Sequence, residues 1–172
     1  MKNKLSVFMI LLITLVFNLK AKAQNMNGYK NLEILVGSNV RAFSPNISIS
    51  YDKENTKALT YGINFNAQIN NPKLYKSNDF TLSQRYFVTG GLYLKLRFAQ
   101  SRNFTSDAQL GANIGYLNND YLYYPNLKLK QSFYITPKVK LVIAEGLIYY
   151  IDKKWSLDQY DPQLHIGLCF HI

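Results

Sequence analysis

The side chains best equipped for chemistry in this sequence are few and badly placed for it. The two histidines, His165 and His171, both fall near the C-terminus with no acidic residue at metal-ligand spacing, which argues against a metal centre. No His-x-Ser pairing offers a base to a hydroxyl, so a nucleophilic triad has no footing. A phosphate-cradling glycine loop and a pair of carboxylates set for acid–base work are also lacking. Cys169 is the single cysteine, which rules out an internal disulfide and leaves none at the expected leader cleavage point to carry a lipid. The expectation is a protein that is not an enzyme, with no catalytic residue, no metal and no cofactor.

What remains is aromatic and charged. Aromatic residues make up 15% of the chain, and Tyr121, Tyr123, Tyr124, Tyr149, Tyr150, Trp155 and Tyr160 cluster late in it. Rings with one oily side and one wet end suit a girdle at a membrane surface. Alternatively, Tyr121, Tyr123, Tyr124, Trp155 and Tyr160 form a partner-binding patch on neighbouring loops, since aromatics are favoured at interfaces. Glu145 is the one acidic residue in a largely apolar run, Val139 to Ile151. Its meaning depends on the elements that carry it.

The N-terminus opens with the basic Met1-Lys2-Asn3-Lys4 and continues with an apolar run, Leu5 to Leu19, before Lys20-Ala21-Lys22-Ala23. A membrane-spanning helix needs about 20 apolar residues, so this shorter run with small residues after it reads as a cleaved signal peptide. The expected division is a leader at 1–23 and one domain at 24–172. Lys2, Lys4, Lys20 and Lys22 leave with the leader, so 16 of the 20 basic residues face 10 acidic ones, a net charge of +6. These charges are dispersed rather than clustered, and direct nucleic-acid binding is not expected. Lys73, Lys76, Lys153 and Lys154 fall in connecting segments, suited to anionic headgroups or water.

Residues 24–172 alternate with period 2 over eight stretches: Lys30 to Gly37, Asn46 to Tyr51, Leu59 to Ile69, Tyr86 to Phe98, Ala108 to Leu117, Leu127 to Ile135, Val139 to Ile151 and Leu164 to Ile172. In the third, Leu59, Tyr61, Ile63, Phe65, Ala67 and Ile69 oppose Thr60, Gly62, Asn64, Asn66 and Gln68. A strand with one oily and one amide-rich face fits a wall with lipid on one side and a polar interior on the other. The alternation predicts an all-β fold, an eight-stranded antiparallel up-and-down transmembrane β-barrel. Export and lipid-facing strands together predict the outer membrane of a Gram-negative-type cell, with outer-membrane lipid and lipopolysaccharide as surroundings. Eight strands enclose an interior that side chains fill, which excludes a porin-like channel.

Connections at Asp52 to Ala58, Ala99 to Asp107 and Thr136-Pro137-Lys138 are expected on the periplasmic side. Ser38 to Pro45, Asn70 to Arg85, Asn118 to Asn126 and Asp152 to Gln163 are expected outside. Strict alternation aims Glu145 at lipid with Leu141, Ile143 and Leu147, an unwelcome place for a carboxylate. The expectation is therefore a bulge near Ala144-Glu145-Gly146 that turns Glu145 into the lumen, toward Lys95, Arg97, Lys128 or Lys130. The final strand, with Gly167, Phe170 and the terminal Ile172, resembles the C-terminal signal by which the barrel-assembly machinery recognises its clients.

Several short motifs occur in a family's order. Gly28-Tyr29-Lys30-Asn31-Leu32-Glu33, Leu110-Gly111-Ala112-Asn113-Ile114-Gly115-Tyr116 with Asn118, Phe133-Tyr134-Ile135-Thr136 opening into Val139-Lys140-Leu141-Val142, and Gly167-Leu168 with Phe170 resemble the conjugative-transposon TraO proteins. Asn31, Leu117 and Pro137-Lys138 depart from that family's pattern. The resemblance implies a structural outer-membrane barrel of a conjugative DNA-transfer apparatus, with other conjugal transfer proteins as partners. Two alternatives stand beside it: a stand-alone barrel for envelope stability or surface binding, and a small barrel enzyme acting on lipid A.

Overall fold

Side chains that alternate between oily and polar bury both faces only if the oily face meets lipid and the polar face closes on itself. The computed structural model, which describes residues 30–40, 44–53, 59–69, 86–117, 120–151 and 160–172, has this arrangement. Its strands are β1 (Lys30–Asn39), β2 (Ser44–Lys53), β3 (Leu59–Ile69), β4 (Tyr86–Gln100), β5 (Phe104–Leu117), β6 (Asp120–Thr136), β7 (Val139–Tyr149) and β8 (Tyr160–His171). Each pairs antiparallel with its sequence neighbour, and β8 returns to β1 to close the barrel. Closure leaves no sheet edge along the wall.

Polarity is inverted relative to a water-soluble protein. Inward positions hold Asn31, Ser48, Asn64, Gln109, Lys128, Gln163 and their like, nearly all buried. Outward positions hold Ile34, Ile49, Phe65, Leu92, Leu110, Leu127 and Leu164, all exposed. A continuous exposed aliphatic belt of this kind is stable only in lipid. The barrel ends differ. At the end where β1 starts and β8 stops, Ile172 N–H donates to Lys30 O at 2.8 Å, and the turns Ser101–Asn103 and Pro137-Lys138 are short. Bulges at Arg97/Ala99 and at Tyr134/Thr136 lie toward this same terminal end.

At the far end β5 and β6 outrun their neighbours. The β5–β6 ladder continues to Leu117↔Asp120, whereas the β6–β7 ladder starts only at Asn126↔Ile148. Residues 120–125 therefore belong to a strand, not to the expected loop Asn118 to Asn126. Asp52 and Asp107, expected in periplasmic connections, likewise lie inside β2 and β5, and Tyr160 to Gln163 inside β8. The polar residues that resembled loop were lining a polar lumen. The expected leader 1–23 and Trp155 lie outside the described residues.

Candidate functional site

The lumen gathers most of the ionisable side chains of the wall. Asp52 on β2 is its most heavily used acceptor: Lys95 Nζ lies 2.6 Å and the Tyr93 hydroxyl 2.7 Å from Oδ2, both donating, and Asn31 Nδ2 donates to Oδ1 at 2.8 Å. Glu33 on β1 pairs with Lys130 on β6, across the barrel interior, and accepts a 3.0 Å hydrogen bond from Ser50 Oγ. The Lys130 ammonium also stands 5.6 Å from the centre of the Tyr93 ring. Tyr93 thus joins the two ion pairs, giving its hydroxyl to one and its ring face to the other. Arg97 Nε donates to Asp107 Oδ1 at 2.9 Å between the adjacent strands β4 and β5.

These pairs are crossbars. Burying a charge is tolerable only when it is paired and hydrogen-bonded, and here each carboxylate meets a cation on another strand. Room for them comes from small inward residues. A Cβ on Gly62 would lie 2.4 Å from Cζ of Tyr93, so only glycine lets that ring cross the lumen floor.

Toward the far end the chemistry changes from ionic to amide. Asn39 Nδ2 donates to Asp161 Oδ2 at 2.8 Å and to Gln68 Oε1 at 3.2 Å. Its Oδ1 accepts from Asn46 Nδ2 at 2.9 Å and Gln163 Nε2 at 2.7 Å, while His165 Nε2 is 2.6 Å from Asn46 Oδ1. A second set links Asn64 to Asn113 at 2.9 Å and Thr89 Oγ1 to the Tyr124 hydroxyl at 2.7 Å. Phe87, Tyr124, Ile148 and Tyr150 pack beside it as an apolar cluster. Among the described residues the lumen is packed with side chains, consistent with an eight-stranded wall.

Lys95, Arg97, Lys128 and Lys130 all face this interior, but Glu145 does not join them. It lies on the outer side of β7, directly across from Leu129 on β6 and Leu164 on β8, and the ladders on both sides run through it without a shift. The expected bulge is absent because β7 is hydrogen-bonded on both edges, so a bulge there would break two ladders at once. Inward neighbours also resist it: Val142 and Ala144 are fully buried against Leu35 and Cys169. The acids that answer the luminal cations are instead Glu33, Asp52 and Asp107. Their sequence signal was parity, since each shares its face with amides or hydroxyls.

The aromatic candidates separate. Tyr121 and Tyr123 point outward on the protruding part of β6, 59% and 52% exposed, whereas Tyr124 is buried in the lumen. Tyr160 opens β8 and packs against Tyr149 across the ladder, ring centres 5.0 Å apart. At the C-terminus, Phe170 and Ile172 share the outward parity, and Gly167 faces inward where β8 meets β1. A Cβ on Gly167 would lie 2.0 Å from Ile34 O, so the closing seam depends on this glycine's close approach.

No protein-family model and no curated protein sequence matches the chain. Solved structures do. A structure from the de novo design of transmembrane β-barrels superimposes with a TM-score of 0.62 at 10% identity, covering 88% of this chain and 100% of the design. The solution NMR structure of a designed barrel, TMB2.3, gives 0.55 at 15% identity over 87% of this chain and 98% of that one. Neisserial surface protein A gives 0.51 at 14% identity, covering 84% and 96%. At these identities the likeness concerns the fold: an eight-stranded transmembrane β-barrel.

Proposed function

We propose that the chain is a structural, non-catalytic barrel of the bacterial outer membrane that serves a conjugative DNA-transfer apparatus through its far end. The observation that carries the reading is a packed, cross-linked lumen combined with a β5–β6 hairpin that outruns the wall. Such a lumen suits an anchor rather than a conduit. The hairpin presents Tyr121 and Tyr123 outward, beyond Asn126↔Ile148, where the β6–β7 ladder begins. Exposed tyrosines on a hairpin that outruns the wall suit docking of another protein. In this orientation the termini and short turns face the periplasm, and the family resemblance supplies the transfer partner.

The test is deletion of the gene from its host element, scored by transfer frequency, with urea-resistant membrane fractionation of the protein in parallel. Transfer should fall while growth and envelope integrity hold, and Tyr121→Ala with Tyr123→Ala should reproduce the fall without loss of folded barrel. Unchanged transfer on deletion would sink the transfer role and leave a stand-alone barrel.

A further inference from the structure

The outer belt is apolar except in one place. Away from the two rims, the described outward positions of β1 to β4 and of β8 carry aliphatic and aromatic side chains, proline or glycine. Polar side chains within the belt are confined to two adjacent strands: Gln131 on β6 and Glu145 on β7. They are neighbours. Gln131 lies directly across from Ile143, one outward step from Glu145. Glu145 is deep in the belt, with Val139, Leu141 and Ile143 between it and the terminal end and Leu147 and Tyr149 beyond it. Among the described residues neither Gln131 nor Glu145 has a hydrogen-bond or ion-pair partner.

Lipid offers a carboxyl or an amide nothing to bond with, so a polar group held at this depth marks a surface that something else covers. The strand geometry does not turn it away, as the unbroken ladders of β7 show. We propose that the outer face of β6 and β7 is where two copies of this chain meet within the membrane, the Gln131 amide of each copy donating to the Glu145 carboxyl of the other. A second copy is the occupant because the patch is self-complementary. An acceptor and a donor lie on adjacent strands one outward step apart, and a two-fold axis along the membrane normal turns the donor of each copy toward the acceptor of the other. One two-fold contact satisfies both groups twice over, whereas a purely apolar partner satisfies neither. Ala108, across from Leu129 on the same face, keeps the approach close.

Cross-linking in native membranes tests the surface. In a Cys169→Ser background, which removes the one buried thiol, Ile143→Cys should give a disulfide-linked dimer. Phe65→Cys, on the outer face of β3 across the barrel, should give none. In lipid nanodiscs, Glu145→Leu and Gln131→Leu should each weaken dimerisation on the order of tenfold, the effect of two interhelix-type hydrogen bonds in a membrane. Glu145→Gln, which still bonds an amide, should retain most of it. Heat-modifiable gel migration confirms that each variant still forms the barrel. A monomeric wild type, equal cross-linking at 65 and 143, undiminished dimerisation of Glu145→Leu, or capture of a different protein at 143 would each overturn the proposal.

Discussion

Glu33 and Glu145 are the same side chain on opposite sides of one wall. Glu33 faces the lumen, meets Lys130 and Ser50, and helps to tie β1 to β6 across the interior. Glu145 faces out between Leu129 and Leu164, with no partner among the described residues. In this barrel a charge stabilises according to what the other strands offer at its depth, and not according to how apolar its own strand is. Lumen acids hold the wall together; the outer acid is available for something beyond the wall.

That contrast can be broken most decisively at Glu33. Glu33→Leu strands the Lys130 ammonium in the interior and should cost about 3–5 kcal/mol, read by urea unfolding in detergent micelles. A loss under about 1 kcal/mol would show that the crossbar carries little. Tyr93→Phe keeps the ring beneath Lys130 but removes the hydroxyl donated to Asp52. With Lys95 and Asn31 still in place, a loss of about 1.5 kcal/mol is expected, the lower range for a hydrogen bond to a charged group. Smaller again is the effect of replacing both partners: Glu33→Leu with Lys130→Met removes the buried pair as a unit and should return stability to within about 1 kcal/mol of wild type. Failure of the second change to rescue the first would mean that Lys130 matters through Tyr93 rather than through Glu33. The smallest effect belongs to Glu145→Leu, which should change unfolding of the micellar monomer by no more than about 0.5 kcal/mol. A large loss there would return Glu145 to a role within its own wall.

Legibility in the sequence followed the same division between sides of the wall. Leu59 to Ile69 alternates so cleanly that its span and both faces match β3 residue for residue. Strand ends were harder to see: Asp52, Asp107 and Asn126 carry residue types that mark turns in water-soluble proteins, yet each lines the lumen within a strand. A polar interior removes the hydrophobic contrast by which strand ends are normally read. Glu145 misled in the opposite way. The cost of a lone carboxylate in lipid is real, but relieving it by a bulge requires breaking both ladders of β7, a penalty set by the neighbours and invisible along one strand.

Which side each residue faces is thus settled locally, because consecutive side chains on a strand must point to opposite faces and only one face tolerates polarity. Eight alternating stretches along the chain specify a wall of eight strands with apolar outward and polar inward positions. Which inward residues meet was decided only by closure. Glu33 and Lys130 are 97 residues apart and lie on strands that are not neighbours in the wall. Their depths coincide through the summed register of every ladder between them, and no period along the chain encodes that sum.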